Sequence, residues 1–193
     1  MVDRTSEGPD FPHTPASLQR IARSERLSRE AREGDRGAFL ADAAAGGFAP
    51  SATVEIRFEP ADARVARHLE LDEGAEVTIR DRVMRADGLV VQLAVSRLPR
   101  ELTRGTAIED VGAGPGGTYA RLEEAGRTIG SFAEHVGARM PMPAEAARLQ
   151  IADGVPVITV TRVTYAVDGT PLEMNDIVLV AGRFELSYEW PAG

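Results

Sequence analysis

The stretch "RVTYAVDGTPLEM", Arg162 to Met174, reads as a strand, a turn and a second strand, and "RVMRADGLVVQL", Arg82 to Leu93, says nearly the same thing. An Asp-Gly pair between two alternating β-branched runs is a strong hairpin signal. The repetition extends outward from these hairpins. Leu69 falls on Leu149, Gly74 on Gly154, Val77 on Val157 and Arg82 on Arg162, each 80 residues apart. One extra residue in the second turn then brings Gly88 onto Gly169 and Gln92 onto Glu173. Each copy runs strand ("TVEIRFEP", "GSFAEHVGARMP"), short helix ("ADARVARHL", "AEAARL") and DG hairpin. Two copies are too few for a solenoid. The expected architecture is α+β: a duplicated strand-helix-hairpin unit whose half-sheets join into one antiparallel sheet with flanking helices. A groove between the halves is the expected place for a small ligand.

Between the copies, "RELTRGTAIEDVGAGPGG" reads as a loop and "TYARLEEAG" as a helix closed by Gly126, while "RFELSYEW" reads as a last strand. "AFLADAAAGGF" reads as a short helix stopped at Gly46–Gly47. Residues 1–16 carry three prolines and no periodic pattern, the mark of disorder. In "SLQRIARSERLSREAREGDR" the arginines at 20, 23, 26, 29 and 32 lie on a drifting helical stripe with few apolar partners. Residues 1–36 are therefore expected to be an arm and a partly helical linker, and residues 37–193 the folded domain.

The chain of 193 residues has no cysteine, which excludes disulfides and thiolate chemistry and suits a reducing cytosol. The polar N-terminus has no apolar signal core, and no apolar run approaches the roughly 20 residues of a membrane span. A soluble cytoplasmic protein without a membrane partner is the expectation. The net charge of -8 argues against wrapping nucleic acid. Residues 1–36 balance seven arginines with seven acids, so the whole excess lies in the folded part.

"GAGPGG", Gly112 to Gly117, matches the dinucleotide-binding pattern G-x-G-x-x-G, but it follows a loop rather than a strand and Pro115 interrupts it. What survives is the helix start at Tyr119, opened by the free N–H groups of Gly116, Gly117 and Thr118, a natural site for an anionic ligand group; a plain loop with an ordinary helix start is the alternative. Arg80 and Arg82 share one strand face, with Asp81 on the other. Side by side, two guanidiniums repel unless an anion or carboxylates lie between them; pairing with nearby surface acids is the plainer alternative. Glu173 and Asn175 also share a strand face and could read ligand hydroxyls or amines. His13, His68 and His135 have no ligand spacing, so no metal or cofactor site is expected. With no G-x-S-x-G elbow, no Walker loop and no H-E-x-x-H motif, no catalytic residue is assigned.

The ordered series "VTIRDRVMRADGLVVQLAVSRLP", "GGTYARLEEAG", "EHVGARMPMPAEAARL" and "GVPVITVTRVTYAVDGTPLEMNDIVL" resembles the UTRA effector-binding domain of GntR-type transcriptional regulators, HutC subfamily, over about Gly37 to Tyr188. The resemblance implies a chorismate-lyase-like fold, a small-molecule effector in the central groove, and a homodimer. It also implies that DNA is bound only through a separate winged-helix domain. Residues 1–36 contain no such domain but resemble the linker that follows it, so the chain is expected to be one cut at the linker or one whose gene has lost the DNA-reading head. By the same resemblance the ligand-binding positions fall on Arg80, Arg82, Gly117, Thr118, Tyr119 and Glu173, with a first-helix edge at Ala38 and Phe39. A glutamate and an aromatic found in many members fall on Ala94 and Leu179, which makes a phosphosugar doubtful and a less polar or carboxylate-bearing effector plausible. A lyase on the related fold is the alternative; turnover separates an enzyme from a sensor.

Overall fold

The computed structural model describes residues 18–22, 39, 47–114 and 116–188. The expectations for residues 1–16, and for the helix after Gly37 apart from Phe39, lie outside the described residues.

Most of the strands follow from period-two runs rich in β-branched residues, and those between Pro50 and Val180 each end at or near a glycine or proline. In chain order they are β1 (Leu18–Ala22), β2 (Pro50–Pro60), β3 (Glu76–Ala86), β4 (Leu89–Pro99), β5 (Ile129–Arg139), β6 (Val157–Ala166), β7 (Pro171–Val180) and β8 (Phe184–Tyr188). The helices are α1 (Ala63–Leu69), α2 (Arg100–Thr103), α3 (Gly117–Glu124) and α4 (Pro143–Leu149). Six strands form one antiparallel sheet in the order β2-β3-β4-β7-β6-β5.

That order is the duplication made visible. The pairs Val54–Arg82 and Glu134–Arg162 are equivalent, as are α1 and α4, and the bulges at Met84/Arg85 and Thr164/Tyr165. Glu70 and Gln150 end the two equivalent helices in the same left-handed conformation, φ 52° and 55°. The copies meet at β4 and β7, where Val95 lies opposite Asp176 on a pseudo-two-fold axis. The turns differ as the extra residue requires. Asp87 and Gly88, both at positive φ, join Ala86 to Leu89, whereas Ala166 pairs with Thr170 across a three-residue loop ending in Gly169.

On one face the helices α1 and α4 bury Val65, Ala66, Leu69 and Leu149 against Val77, Ile79, Met174, Val90, Leu93, Val157 and Val180. Arginines brace each helix to the opposite copy. Arg64 of α1 donates to both carboxylate oxygens of Asp176 (2.8 and 2.7 Å), which also accepts from Arg97 and Thr161. Arg148 of α4 donates to Asp81 at 2.6 Å. Burial pushes the Asp176 carboxyl up, but these hydrogen bonds and the two guanidinium charges outweigh it and hold the group below its ordinary value.

Two local readings are corrected. The segment after Pro99 is not a plain loop: it contains α2 and a 3₁₀ turn at Ala107–Glu109, and Leu98, Ile108, Leu122 and Leu172 pack together beneath it. Leu18–Ala22, within the stretch expected to be helical, is a strand paired in parallel with β8, from Leu18–Phe184 to Ala22–Tyr188. Backbone pairing there overrides the arginine spacing.

At the start of β5, a Cβ on Gly130 would stand 2.7 Å from Val167 Cα and 2.8 Å from the Ala166 carbonyl oxygen. Backbone cannot swing aside as a side chain can. Gly130→Ala is expected to destabilise the domain by about 1–3 kcal/mol, the cost of overpacking; a urea midpoint equal to that of the unsubstituted chain would disprove the contact.

Candidate functional site

The face opposite α1 and α4 holds the candidate site. Thr78, Arg80, Gln92, Ser96, Arg162, Thr164, Glu173 and Asn175 are all buried, and the register puts every one of them on this face. Buried polar groups are costly without partners, so eight on one surface demand an account. They form a band between two apolar clusters. One lies under α2 and α3 around Leu98 and Leu122; the other contains Phe39, Met84, Ala94, Ile177, Leu179 and Phe184.

Pairing sets the rows of the band. Arg80, Ser96, Asn175, Arg162 and Glu134 follow one another across β3, β4, β7, β6 and β5. Arg82 stands beside this row, opposite Ala94, and its guanidinium donates to the Ser96 hydroxyl. In the next row, Glu173 lies opposite Thr164. Tyr119, carried over the sheet by α3, donates its hydroxyl to Glu173 Oε2 at 2.7 Å. Its ring packs at a tilt against Phe132, with centroids 5.6 Å apart.

The three arginines of the band are not equivalent. Arg162, 5% exposed, donates twice to Glu134 Oε1. Burial works to lower its pKa, but Tyr119 and Glu134 prevail and raise it. Arg80 is held by backbone carbonyls: it donates to Ile108, to Asp110 at 2.7 Å and to Val111 at 3.3 Å, pinning the segment ahead of α3. Burial, with the neighbouring Arg82 charge, brings its pKa down to about 10. Burial likewise lowers Arg82, which among the described residues hydrogen-bonds a neutral hydroxyl and no carboxylate. Burial and the Glu173 charge push the Tyr119 hydroxyl up to about 12, so it stays protonated and donates at neutral pH. Three buried polar atoms of the band have no hydrogen-bond partner among the described residues: Nε of Arg80, Nε of Arg82 and Oδ1 of Asn175.

Of the positions singled out in the sequence, the structure gathers Arg80, Arg82, Tyr119, Glu173 and Asn175 in this band. Gly117 and Thr118 open α3, with Gly116 and Gly117 at left-handed φ of 72° and 67°. Phe39 sits in the adjoining apolar cluster beside Ala94 and Leu179, and Ala38 lies outside the described residues. The two neighbouring arginines have different partners, Arg80 being engaged by carbonyls that strand alternation alone does not reveal. Ser96, Arg162, Glu134, Thr164 and Phe132 were not among the expected site positions. Arg162 was within reach as the repeat's counterpart of Arg82; the others depend on inter-strand register.

The UTRA domain family profile matches residues 45–185. The chain belongs to the UTRA domain family. This UTRA domain is 34% identical over 181 residues to an HTH-type transcriptional regulator of Streptomyces coelicolor, covering 91% of the present chain and 67% of that protein. Among solved structures, PhnF from Mycobacterium smegmatis superposes with a TM-score of 0.77 at 21% identity, over 92% of this chain and 73% of PhnF. The separate PhnF effector domain gives 0.70 at 23% identity, over 80% and 94%. The C-terminal domain of the histidine utilization repressor from Pseudomonas syringae gives 0.66 at 19%, over 74% and 99%. The fold is thus that of the GntR-family effector domains, as the sequence resemblance implied. No helix among the described residues is long and apolar enough to cross a membrane.

Proposed function

We propose that this chain is the ligand-sensing domain of a cytoplasmic GntR-type transcription regulator of the HutC subfamily. Residues 37–193, with the strand Leu18–Ala22 paired on β8, form the sensor, and the rest of residues 1–36 belongs to an arm leading toward a winged-helix DNA-binding domain. A small anionic metabolite binds the polar band, and its occupancy is transmitted through a homodimer to DNA binding. The observation that carries this reading is Arg82: a guanidinium whose buried Nε has no partner among the described residues, and whose hydrogen bond among them goes to a hydroxyl and not to a carboxylate. Folding tolerates such a charge poorly unless something regularly occupies the place beside it. Asn175, and Glu173 with Tyr119, supply neutral and negative polar groups beside it. The regulator relative from Streptomyces coelicolor favours a sensor over an enzyme.

A thermal-denaturation screen with metabolite anions and their uncharged amides tests the proposal. A ligand at 100 times its dissociation constant adds about 2.7 kcal/mol of stability. Anions are expected to raise the melting temperature, amides to leave it in place, and the bound compound to be recovered unchanged. Stabilisation by amides alone, or recovery of a chemically altered compound, would refute it.

A further inference from the structure

We infer that the ligand is a small aliphatic hydroxycarboxylate carrying one negative charge, its carboxylate on Arg82 and Ser96 and its hydroxyl on Asn175. This rests on the anion-binding role proposed above for Arg82. Charge comes first. The charged side chains within the band are three guanidiniums (Arg80, Arg82, Arg162) and two carboxylates (Glu134, Glu173), an excess of one positive charge; the Asp110 carboxylate, whose charge also acts on Arg80, is exposed outside the band. A monoanion neutralises that excess; a phosphate monoester, carrying about -1.5 to -2 at neutral pH, overshoots it. Donors agree with charge. Arg80 has spent three of its four terminal N–H groups on carbonyls, whereas Arg82 has spent one, on Ser96, so Arg82 is the guanidinium with the fuller edge to offer, and the flat guanidinium edge fits a planar carboxylate.

The hydroxyl follows from Asn175. This residue is 6% exposed, and its buried Oδ1 has no donor among the described residues. A carboxylate can only accept hydrogen bonds and so cannot satisfy that oxygen. A hydroxyl both donates and accepts, and it suits the carboxamide whichever way the amide is turned. Spacing limits how far apart the two groups lie. Ser96 and Asn175 are directly opposed on β4 and β7, and Arg82 bonds to Ser96, so acid and hydroxyl are separated by about 5 Å, the cross-strand spacing. Only a few covalent bonds fit between them. Beside Arg82 the face becomes apolar, with Met84, Ala94, Ile177 and Leu179, so the remainder of the molecule is hydrocarbon.

Calorimetric titration with two matched pairs, lactate against propionate and 3-hydroxybutyrate against butyrate, together with glucose 6-phosphate, provides the test. At least one hydroxy acid is expected to bind about tenfold tighter than its deoxy partner, the value of one added hydrogen bond to a buried unpaired group. In Asn175→Leu the ratio should fall to about one while the deoxy acid still binds. Equal affinity within both pairs, or tighter binding of glucose 6-phosphate than of either hydroxy acid, overturns the hydroxycarboxylate assignment while leaving the anion site standing. An unchanged ratio in Asn175→Leu removes Asn175 from it. The absence of binding by all five probes overturns both this assignment and the anion reading beneath it. The pairs measured on the unsubstituted chain decide the matter even if the variant does not fold.

Discussion

Replacing Arg82 with glutamine is expected to abolish stabilisation by anions while leaving the melting temperature of the ligand-free chain unchanged or higher. The two halves of this expectation have one cause. In the ligand-free chain the guanidinium is desolvated and meets the Ser96 hydroxyl in place of a carboxylate, which lowers its pKa and opposes folding. Glutamine keeps hydrogen-bonding capacity at Ser96 without the charge. With a ligand present the balance reverses, because a charge-assisted hydrogen bond is worth about 1.5–3 kcal/mol, roughly tenfold to more than a hundredfold in affinity. Titration and thermal denaturation of both chains check the two halves separately. Anion affinity undiminished in Arg82→Gln would remove the residue from the site; a large fall in ligand-free stability would make it a structural member of the core.

Glu134→Ala should behave in the opposite way. Its partner Arg162 is the repeat's counterpart of Arg82, but it is 5% exposed and donates twice to the Glu134 carboxylate. Truncating Glu134 leaves that guanidinium buried without its acid, a change that costs about 3–5 kcal/mol in a buried pair. Glu134→Gln, which keeps an acceptor, is expected to lose less. Urea denaturation monitored by circular dichroism gives the numbers. A cost below about 1 kcal/mol for the alanine variant would place the pair among surface ion pairs, which contribute little. Two arginines 80 residues apart, in equivalent places, would then have to be treated alike, and the asymmetry argued for the band would collapse.

Much of the fold was legible because its determinants are local and written twice. The Asp87–Gly88 and Asp168–Gly169 turns, the period-two runs on either side and the constant offset define two units. Joining two such units predicts one antiparallel sheet, and β4 pairs with β7 accordingly. The segment from Arg100 to Glu109 was not legible, because Ile108 packing and the grip of Arg80 on the carbonyls of Ile108, Asp110 and Val111 shape it from outside its own sequence. The strand at Leu18–Ala22 depends in the same way on β8, more than 160 residues away. At the site, alternation placed Arg80, Arg82, Glu173 and Asn175 on strand faces. It could not show that Ser96 lies opposite Asn175, or that Glu134 reaches Arg162, because register across strands is a property of pairing.

A cradle with perfect two-fold symmetry would hold a lopsided molecule in two equal poses, turned end for end. The axis at Val95 and Asp176 invites that ambiguity, and divergence between the copies removes it. Arg80 has Val160 as its counterpart, Ala94 has Asn175, Ser96 has Ile177, and Gln92 has Glu173. An acid reversed within the band would meet Ile177 and the already engaged Arg162 instead of Ser96 and Arg82. Only one polarity is left. A messenger seated in a single polarity loads one hairpin with charge and the other with neutral contacts, so its arrival gives the two halves different instructions. Duplication alone would have produced a reader indifferent to which end came first, and four unmatched positions gave it a handedness.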